Sequence, residues 1–111
     1  MSEAGALVWH KACRLEDVRD GEPVGVKLAG TPVGVYRVGD RCHAVHDVCT
    51  HEYALLSQGW QDGAVIECPL HQAKFDVTTG TCLAGPAHDA LATFPVRLDG
   101  DDVLVGLAAK S

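Results

Sequence analysis

Two short motifs supply two cysteines and two histidines whose side chains can bind metal. One is a Cys-x-His at Cys49 and His51, and the other is a Cys-x-x-His at Cys68 and His71, with sixteen residues between them. Such a set suits a tetrahedral zinc ion. It also suits a two-iron, two-sulfide cluster in which one iron takes the cysteines and the other the histidines. Because zinc motifs usually pair Cys with Cys and His with His, the mixed pairs favour the iron–sulfur cluster.

The sequence between and around these motifs is typical of a compact all-β domain. Short strand-like segments alternate with turn signals at intervals of roughly eight to twelve residues. We predict an antiparallel β-sandwich or small barrel, with single helical turns at Leu15–Val18 and Tyr53–Leu56. The predicted strands are Leu7–Cys13, Val24–Leu28, Val33–Val38, Arg41–His46, Ala64–Glu67, Lys74–Asp76, Ala92–Leu98 and Val103–Leu107. The predicted turns are Asp20-Gly21, Gly30-Thr31-Pro32, Gly39-Asp40, Asp62-Gly63, Thr79-Gly80 and Asp99-Gly100.

Both metal-binding motifs interrupt this strand pattern, so we expect them to lie on loops. We predict one domain over residues 1–111, with the cluster-binding loops at about 47–90. The segments Cys49–Trp60 and Pro69–Ala73 should extend from the sheets as a separate subdomain. Loops held by a rigid scaffold commonly carry binding chemistry.

Composition excludes several classes of protein. The apolar runs are far shorter than the roughly 20 residues of a membrane span, and Met1–Gly5 lacks the features of a signal peptide. Five cysteines, an odd number, argue against a disulfide framework, and Cys13 and Cys42 are expected to be small buried side chains in a reducing cytoplasm. A net charge of −6 excludes a broad nucleic-acid surface and favours a positively charged partner.

The other histidines and the two tryptophans are expected to be structural. His43 and His46 lie three residues apart in one predicted strand. Their side chains therefore point to opposite faces and cannot bind one metal ion. Trp9 and Trp60 are predicted to pack against apolar neighbours.

The residues that flank the two motifs follow a wider pattern. It comprises Asp47–His51, Glu67–His71, Lys74–Asp76, Thr79-Gly80 and Gly85-Pro86. This pattern resembles the Rieske ferredoxin family over nearly the whole chain, in particular the small ferredoxins of bacterial aromatic ring-hydroxylating dioxygenase systems. The resemblance implies one 2Fe–2S cluster, with Cys49 and Cys68 on a buried ferric iron and His51 and His71 on the outer iron. It also implies that a loop containing Pro86 closes over the cluster.

The function implied by this resemblance is one-electron transport without catalysis. Such ferredoxins carry electrons from a flavin-dependent ferredoxin reductase to a terminal oxygenase, and we expect a cytoplasmic monomer that binds neither membranes nor nucleic acids. An oxygenase of its own would need a mononuclear iron held by two histidines and a carboxylate, and only His88 occurs in the 40 residues after His71. The small Rieske subunit of an assimilatory nitrite reductase is the alternative, although many such subunits lack cluster ligands.

Four positions depart from the high-potential members of the resembled family. Ala54 and Leu70 replace two cysteines that form a disulfide between the ligand loops in those members. Ala73 and Phe75 replace a serine and a tyrosine whose hydroxyl groups bond the cluster and a ligand sulfur. Without these donors the midpoint potential should lie near the low end of the Rieske range.

Overall fold

The computed structural model describes residues 7–48, 54–69, 73–84 and 90–108. These residues form three antiparallel sheets with the orders β1-β11-β10, β2-β3-β4-β9 and β5-β6-β7-β8, which confirms the predicted all-β class. No helix in the described ranges is long and apolar enough to cross a bilayer. The strands are β1 (Leu7–Arg14), β2 (Val24–Leu28), β3 (Thr31–Val38), β4 (Arg41–His46), β5 (Trp60–Asp62), β6 (Val65–Glu67), β7 (Lys74–Asp76), β8 (Cys82–Ala84), β9 (Thr93–Phe94), β10 (Val96–Asp99) and β11 (Asp102–Ala108).

The sheet β2-β3-β4-β9 lies between two hydrophobic cores. Side chains alternate across a strand, so Val33 and Val35 of β3 enter one core while Tyr36 enters the other. In β4, Ala44 packs in the core with Val33 and Val35, and Val45 packs in the core with Tyr36. The first core is shared with β11, and the second with β6 and β7. The central sheet thus joins the β1-β11-β10 sheet to the four short strands that follow the first ligand motif.

One predicted strand, Ala92–Leu98, is wrong as a single element. The chain forms β9 at Thr93–Phe94, which pairs with β4, and β10 at Val96–Asp99, which pairs with β11. Pro95 lies between them and has no N–H for a ladder hydrogen bond. Its carbonyl oxygen accepts a hydrogen bond of 2.9 Å from the Gly106 N–H. The proline therefore marks the point at which the chain passes from one sheet to another.

Two strands and the bounds of the helical turns also differ from the prediction. Strands β5 and β8 were not predicted: β5 begins at Trp60, the last residue of a segment predicted as a loop, and β8 begins two residues after the Thr79-Gly80 turn. The second helical turn is a 3₁₀ turn at Leu56–Gln58, so the prediction that it ends at Leu56 is wrong, and Tyr53 lies outside the described residues. The first, predicted at Leu15–Val18, is a 3₁₀ turn at Leu15–Asp17, with Val18 as its extended C-cap.

The turn before β3 comprises Ala29 and Gly30, both with positive φ, rather than the predicted Gly30-Thr31-Pro32. Positive φ at both central residues is the conformation of a two-residue type I′ hairpin turn. Thr31 and Pro32 are already part of β3 and pair with Leu28 and Lys27.

Candidate metal centre

Cys68 is the one predicted ligand within the described residues; Cys49, His51 and His71 lie outside them. Cys68 follows the end of β6, and its side chain is fully buried. Its N–H donates a hydrogen bond of 2.7 Å to the Ala73 carbonyl oxygen. This bond closes the base of the second ligand loop and holds the cysteine against the core.

The core around Cys68 is apolar. Ala73 and Phe75 are fully buried and belong to the same cluster of buried side chains as Cys68, together with Leu56 and Ile66. Hydroxyl groups at positions 73 and 75 would therefore project into this core, whereas the methyl group and the phenyl ring offer no hydrogen-bond donor. This placement supports the sequence-based expectation of a low potential.

A buried carboxylate closes the base of the first ligand loop. Asp47 is 2% exposed and accepts hydrogen bonds from the Ser57 N–H at 2.8 Å and the Ser57 Oγ–H at 2.6 Å. The Asp47 carbonyl oxygen accepts a further bond from the Leu56 N–H at 2.7 Å, and Val48 pairs with Leu55. Four contacts therefore join the two ends of the segment that contains Cys49 and His51.

Two glycines make room for this carboxylate. Gly25 and Gly34 lie opposite each other in β2 and β3. A Cβ on Gly25 would collide with the Ser57 hydroxyl and lie 2.9 Å from Asp47 Oδ2, and one on Gly34 would lie 2.8 Å from Asp47 Oδ1. The carboxylate thus occupies the space that side chains at both positions would otherwise fill.

Burial also shifts the proton affinities near Asp47. Loss of water raises the pKa of the Asp47 carboxyl, and the hydrogen bonds from Ser57 oppose this rise. Burial, followed by the charge of Asp47, raises the pKa of the Tyr36 phenol. The Tyr36 hydroxyl is buried without a hydrogen-bond partner among the described residues. Tyr36 lies in β3 and Asp47 directly follows β4, and both approach Gly34. A polar group enclosed by apolar side chains therefore lies at the base of the first ligand loop.

The third predicted loop, around Pro86, is closed by a similar contact at its base. The Leu91 N–H donates a bond of 2.8 Å to the Gly80 carbonyl oxygen, and Leu91 packs in the same core as Cys68. Gly80 has a φ of 81°, and a Cβ there would collide with the Leu91 carbonyl oxygen. Pro86 itself lies outside the described residues. The bases of all three predicted loops therefore contribute to one core.

Three of the remaining histidines, His10, His43 and His46, lie within the described residues. His43 and His46 are both in β4 at an odd spacing, and burial lowers the pKa of the His43 imidazole. Neither they nor His10 belong to a group of three or more potential metal ligands in the part of the chain that is described. The structural role expected for these histidines stays a prediction.

The two tryptophans differ in exposure, and neither belongs to the two cores formed by the described residues. Trp9 is half-buried and carries the guanidinium of Arg97 4.5 Å from its ring centroid. Trp60 is 62% exposed, so its prediction as a packing residue is wrong. The strand β5 places it on the outer face of its sheet, opposite the face that carries the core. A strand of three residues is too short for its pattern of apolar residues to predict which face is buried.

The Asp47–Ser57 contact was not foreseen from the sequence, and it can be tested by mutation. We expect Ser57→Ala to lower the free energy of unfolding of the cluster-loaded protein by about 1–3 kcal/mol, because a buried carboxylate loses a donor. The matched control is Thr78→Ala, which removes a hydroxyl-to-carboxylate bond of 2.6 Å at an exposed site and should change stability by about 0.5 kcal/mol or less. Equal effects in denaturant titrations would contradict a special role for Asp47.

The fold and the donor set together define a small β-domain that binds an iron–sulfur cluster. The chain belongs to the Rieske [2Fe-2S] domain family, whose match covers residues 8–95. Its cofactor is accordingly a single 2Fe–2S cluster, as the mixed motifs predicted, and the zinc alternative is rejected. The fully buried thiol of Cys68 in an apolar core fits a ligand of the inner iron.

Two comparisons with known proteins extend this assignment. The ferredoxin component of the naphthalene 1,2-dioxygenase system of Pseudomonas aeruginosa is 37% identical over 100 residues, covering 90% of this chain and 96% of the relative. A chain in the solved complex of reduced oxygenase and oxidized ferredoxin in carbazole 1,9a-dioxygenase is 40% identical, with a TM-score of 0.85. The match covers 93% of this chain and 96% of that one.

A third comparison bears on the alternative function. The putative small subunit of the NADH-dependent nitrite reductase of Mycobacterium tuberculosis has a TM-score of 0.82, with 95% of this chain and 99% of that chain covered. Its identity is 28%, below that of both dioxygenase relatives. The fold is shared by the two classes, and sequence similarity favours the dioxygenase ferredoxins.

Proposed function

We propose that Cys49 and Cys68 hold one iron of the cluster and that His51 and His71 hold the other. The burial of Cys68 supports its place on the inner iron, since a thiolate there balances metal charge within an apolar core. The bonds between Cys68 and Ala73 and between Asp47 and Ser57 close the two loops that carry the four ligands. When bound, the cluster takes up and releases one electron at a time.

We further propose that the chain carries electrons from a flavoprotein ferredoxin reductase to the terminal oxygenase of an aromatic ring-hydroxylating dioxygenase system. The main support is the similarity, over nearly the full length of both chains, to a ferredoxin component of such a system. Proteins of this kind are electron-transfer components and not the catalytic subunits. The similarity to a chain from an oxygenase–ferredoxin complex supports an oxygenase as the acceptor.

The finer parts of this function remain predictions. They are the flavoprotein reductase, the monomeric state and the cytoplasmic location. A carrier must release each partner after transfer, which favours a small interface and weak binding. Sedimentation of the cluster-loaded protein should give the mass of one chain, and a stable dimer would contradict the monomeric prediction.

Reconstituted electron transfer tests the proposed function. The chemically reduced, cluster-loaded protein should reduce the terminal oxygenase of the naphthalene 1,2- or carbazole 1,9a-dioxygenase system in stopped-flow absorbance measurements. The same protein without cluster is the control. Transfer to a nitrite reductase catalytic subunit, with none to either oxygenase, would favour the alternative.

A further inference from the structure

The outer face of the sheet β5-β6-β7-β8 carries an apolar patch open to solvent. Trp60 is 62% exposed and Leu83 is 51% exposed, although both are large hydrophobic side chains. They line a shallow depression of about 260 Å³. Its lining residues are Trp60, Asp62, Val65, Glu67, Lys74 and Leu83. We name these six residues the Trp60 face.

Strand register explains why Trp60, Glu67 and Lys74 share one face, and Leu83 joins them at the irregularity between β7 and β8. Trp60 pairs with Glu67, and Glu67 pairs with Lys74, and directly paired residues lie on the same side of a sheet. The adjacent row contains Ile66 and Phe75, which pair with each other and are fully buried in the core with Cys68. One side of the sheet thus packs in the core that contains Cys68, while the other presents Trp60.

The Trp60 face also continues directly into the second ligand loop. Glu67 immediately precedes Cys68 and Lys74 immediately follows Ala73, the two residues whose hydrogen bond closes that loop. Paired Cα atoms in an antiparallel sheet lie about 5 Å apart, and consecutive ones lie about 3.8 Å apart. The backbone of Trp60 is therefore within about 10 Å of Cys68. A partner that contacted the base of the second ligand loop could therefore contact this face as part of the same interface.

The chemistry of the face indicates what would cover it. Exposed apolar side chains are normal when single, but neighbouring ones rimmed by polar groups indicate a protein interface. Tryptophan is enriched among residues that dominate binding energy. Two carboxylates, Asp62 and Glu67, and one ammonium, Lys74, border the patch, and the whole chain carries a net charge of −6. An apolar surface bordered by basic side chains is complementary to this face.

We propose that the Trp60 face is a docking surface for the terminal oxygenase, which covers Trp60 and Leu83 while it faces the ligand loops. This inference rests on the proposed function, since it assumes that an oxygenase accepts the electron. The oxygenase is the occupant we assign because the face adjoins the ligand loops, and because a similar chain occurs in a complex with an oxygenase. The surface supplies affinity, and it leaves the cluster and its potential unchanged.

Matched variants separate this role from a structural one. Trp60→Ala should raise the KM for the ferredoxin about tenfold in reduction of the carbazole or naphthalene terminal oxygenase, a change of about 1.4 kcal/mol in binding. Trp60→Phe should retain most of the affinity. Leu83→Ser should raise the KM severalfold, whereas Leu98→Ser, at 50% exposure on β10, should leave it unchanged. Iron content, midpoint potential and the rate of reduction by dithionite should equal those of the wild type throughout.

Each result that differs from these expectations would contradict a specific part of the proposal. If wild-type protein reduces an oxygenase and Trp60→Ala does so with the same KM, the docking surface is wrong and the proposed function stands. A defect found only in reduction by a flavoprotein reductase would assign the face to that partner and overturn the inference. Equal defects in Leu83→Ser and Leu98→Ser would show a nonspecific effect of lost apolar surface. If the wild type reduces neither oxygenase, the proposed function fails together with the inference.

Discussion

Replacing Cys68 by serine is expected to give protein without an intact 2Fe–2S cluster. A serine hydroxyl is a far poorer ligand than a thiolate for iron in a sulfide cluster, and Cys68 is fully buried in the core, where no water can take its place. His71→Ala should have the same outcome. Iron and acid-labile sulfide should fall from two of each per chain to near zero, and the Rieske electron paramagnetic resonance signal of the reduced protein should disappear.

A second cysteine provides the control for this experiment. Cys42 lies in β4 and packs against the other core, where burial raises the pKa of its thiol and so disfavours the thiolate. Cys42→Ser should therefore keep full iron, sulfide and signal. A Cys68→Ser protein with two irons, two sulfides and the wild-type spectrum would show that Cys68 is not a ligand.

Loss of the cluster should also destabilise the loops. Metal binding and folding are coupled where the site is not preformed, and the hydrogen bonds that close the ligand loops, Cys68 to Ala73 and Ser57 to Asp47, hold only their bases. We expect Cys68→Ser to raise proteolytic cleavage within 49–53 and 70–72, while the β1-β11-β10 sheet stays protected. Uniform protection across the chain would contradict this coupling.

The second large effect expected is on the midpoint potential, which should lie near the bottom of the Rieske range, at about −150 mV rather than about +300 mV. Ala73→Ser combined with Phe75→Tyr should raise it. Both positions are fully buried in the core with Cys68, and a donor there favours the reduced, more negative cluster. A bond stronger by about 1.4 kcal/mol after reduction corresponds to about 60 mV for one electron.

Stability measurements distinguish a new bond to the cluster from a merely buried hydroxyl. A hydroxyl that finds no acceptor in this core should reduce the free energy of unfolding by about 1–3 kcal/mol and leave the potential unchanged. Phe94→Tyr, at a half-buried position packed against the other core, is the matched control and should not alter the potential. A wild-type midpoint well above zero would show that another donor replaces the missing ones.

The all-β class and much of the strand pattern were predictable because they depend on local signals. Strand β2 at Val24–Leu28 and strand β4 at Arg41–His46 were predicted with the observed bounds, and the Asp99-Gly100 hairpin connects β10 and β11 as expected. These elements have alternating apolar residues and turn residues at their ends. The split at Pro95 was missed, because a sequence pattern does not say which sheet each half of a strand will join.

The chemistry of the centre was determined by the sequence itself, since the types and spacing of Cys49, His51, Cys68 and His71 restrict the metals and ligand arrangements that can form. Tertiary structure decided what surrounds that chemistry. The contact between Asp47 and Ser57 joins residues ten positions apart, and the exposure of Trp60 depends on which face of a three-residue strand meets the core. Both are set by packing between elements, and packing depends on contacts that no local pattern of residues contains.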